Sequence, residues 1–130
     1  MPATARPLSP HLSVYRWQIQ MVTSIVHRGT GIFLSIGTLL LCAALVALAW
    51  SESAFASVHA FAASWIGMLL MLAWTWSLAF HFLNGLRHLW QDVGMGCAPA
   101  EFVRNGWIAT IGSFVLTALI GALVWMRGGA

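Results

Sequence analysis

The sequence predicts an all-α integral membrane protein with three transmembrane helices preceded by a short N-terminal segment. Of its 130 residues, 60% are hydrophobic and only 7% are charged, whereas about a quarter of the residues in an average soluble domain are charged. So few charges cannot cover the surface of a soluble fold, and intrinsic disorder requires low hydrophobicity together with high charge. We therefore expect one membrane domain covering residues 1–130.

Three long stretches without any charged residue supply the three spans. They lie between Arg28 and Glu52, between Glu52 and Arg87, and between Arg104 and Arg127. Each is longer than the roughly 20 apolar residues that a helix needs to cross a bilayer. The predicted transmembrane helices cover residues 21–50, 57–89 and 105–126.

The distribution of arginine predicts the orientation. With three spans, the N-terminal segment and the second loop share one side of the membrane, and five of the six basic residues fall there: Arg6, Arg16, Arg28, Arg87 and Arg104. The positive-inside rule then places this segment on the inner face, with the N-terminus in the cytoplasm. The sequence has no Arg- and Ser-rich leader, which favours a bacterial plasma membrane. The alternative is the mitochondrial inner membrane with the N-terminus in the matrix.

Ionisable side chains at membrane depth are costly and usually functional. Five of them need an explanation here: His27, Arg28, His81, Arg87 and His88. The first span begins on the inner side and the second ends there, so all five converge in one leaflet. The sequence therefore predicts one polar site in the inner half of the bilayer.

On the second span, His81, Gly85 and His88 share a helix face. His81 and His88 are two turns apart, or about 10 Å, so His81 lies deeper. Gly85 leaves no side chain beside His81, which is the gap that a flat macrocycle coordinated by His81 needs. Ser77, one turn earlier, is a candidate hydrogen-bond partner for the other ring nitrogen of His81. Alternatively, His81 only forms a hydrogen bond between helices.

On the first span, Ser24, Arg28, Gly31 and Ser35 form a similar face. A hydroxyl and a guanidinium on one face suit an oxygen-bearing ligand, and Arg28 is able to pair with a carboxylate such as a haem propionate. Alternatively, Arg28, Arg87 and His88 are interface residues whose polar ends reach the headgroups, and the Ser24 hydroxyl bonds its own helix.

The two cysteines exclude some redox chemistry on this chain. Cys42 and Cys97 form neither a CxxC nor a CxxCH motif, and an iron–sulfur cluster usually needs four thiolates. We expect membrane lipid as a partner, and no nucleic acid.

Three stretches carry a resemblance to a known family. They are residues 6–12 (RPLSPHL), 24–31 (SIVHRGTG) and 81–92 (HFLNGLRHLWQD). Together they resemble the cytochrome b556 subunits of succinate dehydrogenase, the larger membrane anchor of respiratory complex II. The resemblance extends to chain length, span number and motif order. Asn84 before Gly85 departs from the bulkier residue of some bacterial members.

The resemblance implies the following cofactors, partners and site residues. One haem b lies between this subunit and a second small membrane anchor, with His81 as the axial ligand from this chain. His88, Arg28 and Gly85 lie at the haem, and Ser24, Arg28 and His27 line the ubiquinone site. A flavoprotein subunit oxidises succinate, and an iron–sulfur subunit passes the electrons to ubiquinone. This chain carries out no succinate chemistry and has no catalytic residue of its own.

Three alternatives stay open at this point. The same architecture serves as the anchor of a quinol:fumarate reductase, which runs the reaction in reverse. A haem-free structural anchor would hold a complex together without any redox role. A small transporter component is disfavoured because the first two spans lack proline, and transporters often have helices that are interrupted at mid-membrane.

Overall fold

The computed structural model describes His11 and residues 13–128. Its helices are α1 (Ile19–Trp50), α2 (Glu52–Ala63), α3 (Trp65–Asp92) and α4 (Pro99–Gly128). Helices α1, α3 and α4 are long and apolar enough to cross a membrane, which confirms the all-α class with three spans. Helices α1 and α4 extend beyond the predicted 21–50 and 105–126. The first ten residues of the predicted N-terminal segment, and Leu12, lie outside the described part of the chain.

The prediction of one continuous helix over residues 57–89 is wrong. The chain breaks at Ser64, whose backbone is extended (φ −69°, ψ 158°) and whose hydroxyl accepts a hydrogen bond from the Gly67 amide at 3.2 Å. This is an N-cap, and it begins α3 as a separate helix. Side chains on both sides of Ser64 are apolar, so hydropathy does not reveal the break. Ser51 caps α2 in the same way, accepting from the Ala54 amide at 3.3 Å.

The interior of the helix bundle is small and polar. Among the described residues, the buried hydrophobic side chains are Ala79, Phe80 and Ala109. The buried polar and charged ones are Thr23, Thr30, Ser77, Asn84, Arg87, Ser113 and Thr117. Large aliphatic side chains instead cover the outer surface of the bundle. This arrangement suits a lipid environment, where small residues let helices approach closely and polar side chains bond inside the bundle.

A tight turn after α3 returns the chain into α4. The Gly94 amide donates to the Gln91 carbonyl at 2.8 Å, and the Met95 amide donates to the Trp90 carbonyl at 3.2 Å. This pair of bonds is a Schellman motif, and Gly94 adopts the left-handed backbone (φ 80°) that the motif requires. Helices α3 and α4 are therefore antiparallel neighbours.

The start of α1, the end of α3 and the start of α4 lie at the same end of the bundle. A Cβ added to Gly106 of α4 would lie 3.4 Å from the Ile19 side chain of α1. Helix α3 packs against both α1 and α4. This end, which we call the basic end, carries Arg28, Arg87 and Arg104.

Candidate functional site

Three histidines from two helices meet near the basic end. The imidazole rings of His27 (α1) and His81 (α3) stack with their centroids 3.9 Å apart and their planes 11° from parallel. The His88 ring lies 5.3 Å from that of His27. The structure thus brings together three of the five residues of the predicted polar site.

The hydrogen bonds of His81 determine which of its ring nitrogens carries the proton. His81 Nδ1 lies 3.1 Å from the backbone carbonyl oxygen of His27 and 3.3 Å from Thr30 Oγ1. A carbonyl only accepts hydrogen bonds, so Nδ1–H is the donor and the neutral ring has an unprotonated Nε2. Among the described residues, His81 Nε2 has no hydrogen-bond partner. This nitrogen is also not buried.

The hydrogen-bond partners of His81 Nδ1 are Thr30 and the His27 carbonyl, and not Ser77 as the sequence predicted. Thr30 is 5% exposed, and its hydroxyl donates to the same His27 carbonyl at 2.9 Å. The assignment of Ser77 as the partner of His81 is wrong because the imidazole turns away from its own helix towards α1. Thr30 lies one turn after His27 on the same face of α1. This spacing could have identified Thr30 from the sequence as a partner of His81.

Two glycines shape the space around His81. A Cβ added to Gly31 would lie 3.1 Å from His81 Cε1, so the ring packs directly against the α1 backbone. A Cβ added to Gly85 would have no neighbouring atom within 4 Å. The face of α3 beside His81 is therefore open at Gly85.

Asn84 connects Arg87 to His88 and was missed by the sequence analysis. Arg87 Nη1 donates to Asn84 Oδ1 at 3.2 Å. Because arginine only donates, this bond orients the amide so that Asn84 Nδ2 faces His88 Nε2, which is 3.2 Å away. Asn84 is fully buried (0% exposed), whereas His88 is exposed. Asn84 lies one helical turn before His88, and this spacing could have identified Asn84 from the sequence.

Arg87 does not join the histidines, which corrects the prediction of a single five-residue site. Arg87 is 7% exposed, and its guanidinium lies over the Phe102 ring of α4, with Cζ 4.4 Å from the ring centroid. Consecutive positions on a helix are rotated by about 100°, so Arg87 and His88 face different neighbours.

Ser24 and Arg28 occupy an exposed face of α1. Arg28 Nε donates to the Ser24 backbone carbonyl at 3.5 Å, and the Ser24 hydroxyl has no hydrogen-bond partner among the described residues. Gly31, one turn further along this face, adjoins the His81 ring. The exposed face therefore borders the histidines, and both side chains are free to contact a ligand or a partner.

The described residues contain no group of three or more His, Cys, Asp or Glu side chains able to hold a metal ion. The roles of the predicted site residues stay predictions at this point.

Three helices that are long and apolar enough to cross a membrane, with histidines at the junction of two of them, define a multi-pass membrane protein. Residues 2–120 match the family described as succinate dehydrogenase/fumarate reductase transmembrane subunit. The chain belongs to this family. It is thus a membrane subunit of an oxidoreductase complex of the succinate dehydrogenase type, and such a subunit functions with partner subunits.

Individual relatives agree with this assignment. The chain is 40% identical over 114 residues to the succinate dehydrogenase cytochrome b556 subunit of Paracoccus denitrificans, covering 88% of both chains. It is 33% identical to that of Rickettsia felis, over 88% of this chain and 90% of the relative. It is 38% identical to the mitochondrial cytochrome b560 subunit of Bos taurus, over 88% and 66% respectively. Bacterial and mitochondrial relatives both indicate a multi-pass inner-membrane protein.

Proposed function

We propose that this chain is the haem b subunit and part of the ubiquinone site of a succinate:ubiquinone oxidoreductase. His81 would ligate the haem iron through Nε2, and a second small anchor subunit would supply the other axial ligand. The names of the relatives, cytochrome b556 and cytochrome b560, support a b-type haem. The observation that carries the proposal is the Nδ1–H hydrogen bond from His81 to the His27 carbonyl, 3.1 Å long.

That hydrogen bond prepares His81 for coordination. An iron-ligating imidazole is neutral, and its second ring nitrogen commonly donates to a carbonyl, which fixes the orientation of the ring. The α1 backbone supplies this carbonyl, and Thr30 bonds to the same oxygen. His81 Nε2 is left free as a ligand atom without any rearrangement of the ring.

The surroundings of His81 fit a flat macrocycle. The open space at Gly85 lies one turn from His81, and His88 is exposed two turns away. Because His88 Nε2 accepts a hydrogen bond from Asn84, a neutral His88 carries its proton on Nδ1 and is able to donate it to a propionate. Arg28 is a second candidate for pairing with a propionate. When bound, the haem supplies a one-electron redox centre within the membrane.

The exposed face of α1 is the proposed contribution to the quinone site. The unpartnered Ser24 hydroxyl would donate to a ubiquinone oxygen, and Arg28 would stabilise the negative charge that develops as electrons arrive. A cation acts strongly on such charge where the local dielectric is low. His27, which stacks on His81, lies where the haem and the quinone site would adjoin.

The remaining chemistry would belong to partner subunits. A flavoprotein would oxidise succinate, and an iron–sulfur subunit would deliver electrons to the quinone at the basic end. Both cysteines of this chain are free, and four thiolates are usually needed for a cluster. The relatives are named as succinate dehydrogenase subunits, which favours succinate oxidation over fumarate reduction. The basic end would face the cytoplasm of a bacterium or the matrix of a mitochondrion.

The test is a dithionite-reduced minus oxidised visible spectrum of the detergent-purified complex, captured through this chain. We expect a b-type signal in the wild-type complex and its loss in the His81→Leu complex. His59→Leu, an exposed histidine of α2, is the matched control and should keep the signal. Full haem content in His81→Leu would mean that another residue ligates the iron. Absence of haem from an intact wild-type complex would instead indicate a purely structural anchor.

A further inference from the structure

Thr30 is a buried threonine of α1 whose hydroxyl contacts His81 on α3. The side chain is 5% exposed, and its Oγ1 lies 2.9 Å from the His27 carbonyl oxygen and 3.3 Å from His81 Nδ1. A hydroxyl has one proton and two lone pairs. Because a carbonyl only accepts hydrogen bonds, the Thr30 proton points to the His27 carbonyl. The lone pairs of Oγ1 are then left to accept from the His81 Nδ1–H.

The His27 carbonyl is shared among three donors. His27 lies inside α1, so its carbonyl also accepts from the amide four residues on, which belongs to Gly31. Thr30 Oγ1 and His81 Nδ1 donate to the same oxygen at 2.9 and 3.1 Å, whereas a carbonyl has only two lone pairs. The carbonyl alone therefore satisfies the imidazole N–H incompletely, and Thr30 Oγ1 is the second acceptor that this N–H needs.

The local backbone fixes the place of the Thr30 hydroxyl. A β-branched side chain has few χ1 rotamers in a helix, and one that threonine favours bonds a carbonyl three or four residues back. The next residue, Gly31, lets the His81 ring approach α1, since a Cβ there would lie 3.1 Å from His81 Cε1. The ring is thus held against the α1 backbone with its Nδ1 edge at Thr30.

We propose that Thr30 is a positioning residue for the haem ligand. Its hydroxyl fixes the plane of the His81 ring and makes Nε2 a stronger electron donor to the iron. This inference rests on the proposed function, in which His81 ligates haem through Nε2. An acceptor at the second ring nitrogen orients a ligating imidazole and raises its basicity. Hydrogen bonds around the axial ligand are also one of the means by which a protein sets a haem potential.

The sign of the effect follows from electrostatics. The Thr30 proton points away from His81, so the negative end of the hydroxyl faces the imidazole N–H. Electron density donated by the ring stabilises ferric iron more than ferrous iron. The Thr30 hydroxyl therefore lowers the midpoint potential of the haem, and its removal should raise that potential.

The experiment compares Thr30→Val with Thr30→Ser in the detergent-purified complex. Valine keeps the branched shape and removes the hydroxyl, whereas serine keeps the hydroxyl and removes the methyl group. Redox titration of the visible spectrum measures the midpoint potential, and the EPR g-values of the oxidised complex respond to the plane of the axial imidazole. We expect a higher potential and a shifted or broadened EPR signal in Thr30→Val. Thr30→Ser should match the wild type in both measurements.

Thr23→Val is the matched control. Thr23 is 1% exposed, and its hydroxyl donates to the Gln20 carbonyl at 3.1 Å, the same kind of bond on the same helix. It forms no hydrogen bond to His81, so Thr23→Val should keep the wild-type potential and EPR signal. Equal shifts in Thr23→Val and Thr30→Val would assign the change to packing and overturn the proposal. Equal shifts in Thr30→Ser and Thr30→Val would do the same.

Haem binding separates this proposal from the proposed function. Transfer of haem from the complex to apomyoglobin should be about tenfold faster in Thr30→Val, since removing an outer-shell partner weakens ligand binding by about that factor or more. Wild-type potential, EPR signal and haem retention in Thr30→Val would overturn the role of Thr30 and leave His81 as the ligand. Full haem content in His81→Leu would overturn the proposed function, and the role of Thr30 with it.

Discussion

Asn84 Nδ2 donates a hydrogen bond to His88 Nε2 across 3.2 Å, one helical turn along α3. The opposite end of the same amide accepts from Arg87, so one buried side chain holds both the exposed histidine and the buried arginine. The histidines on the α1 side of α3 and the buried guanidinium on its α4 side are therefore joined through a single residue.

Replacing Asn84 by leucine should destabilise the complex. The substitution would leave Arg87 without its remaining hydrogen bond, and a buried unsatisfied charged donor costs about 1–3 kcal/mol or more. We expect a lower midpoint of thermal unfolding in Asn84→Leu. Asn84→Asp should unfold close to the wild-type midpoint because its carboxylate still accepts from Arg87. Equal unfolding midpoints for the wild type and Asn84→Leu would show that this bond contributes little.

Enlarging Gly31 should lower haem content without removing any proposed ligand. A side chain at Gly31 would contact the His81 ring, because its Cβ alone would lie 3.1 Å from His81 Cε1. Gly31→Leu should therefore push the imidazole from its position and reduce the haem-to-protein ratio, measured by the pyridine haemochrome assay.

Gly29→Leu is the control for this substitution. Gly29 lies on the same helix, and an added Cβ there has no neighbour within 4 Å. Both variants carry the same cost of altering a helical glycine, so a difference between them reports on His81. Equal haem content in the two variants would argue against His81 as the ligand or against its observed position.

Much of the fold could be predicted because charge and hydropathy act along the chain. Long uncharged stretches locate α1, α3 and α4, and antiparallel order brings His27 to the depth of His81. The break at Ser64 could not be predicted this way, because an N-cap in an apolar stretch leaves the hydropathy unchanged. It depends on the hydroxyl bonding the Gly67 amide.

The rotation of each helix about its own axis could not be predicted from the sequence either. Spacing identified His81, but it did not reveal that its ring turns towards Thr30 on α1 instead of Ser77 on its own helix. It also grouped Arg87 with His88, although neighbouring positions on a helix face different directions. Which neighbour each face meets depends on the packing of α3 between α1 and α4.

The proposed quinone site predicts a selective loss of activity in Ser24→Ala. The complex should oxidise succinate with an artificial soluble acceptor at the wild-type rate, because the flavoprotein is untouched. Reduction of ubiquinone should fall by about tenfold, the effect of one lost hydrogen bond to a group that becomes charged.

Ser35→Ala is the matched control for Ser24. Ser35 lies on the exposed side of α1, but its hydroxyl donates to the Gly31 carbonyl at 2.9 Å and is not free for a ligand. Its ubiquinone activity should be normal. Normal ubiquinone reduction by an intact Ser24→Ala complex would remove Ser24 from the proposed site.

The predicted orientation places the end of α4 on the outer side of the membrane. A single-cysteine chain with Gly128→Cys, in a Cys42→Ser and Cys97→Ser background, carries its thiol at the exposed end of α4. A membrane-impermeant maleimide should label it in intact spheroplasts. A second chain that keeps only Cys97, an exposed residue of the turn between α3 and α4 at the basic end, should stay unlabelled until the membrane is permeabilised. The reverse pattern would place the basic end outside. It would then contradict delivery of electrons to the proposed quinone site from the inner face, because Ser24 and Arg28 lie near that end.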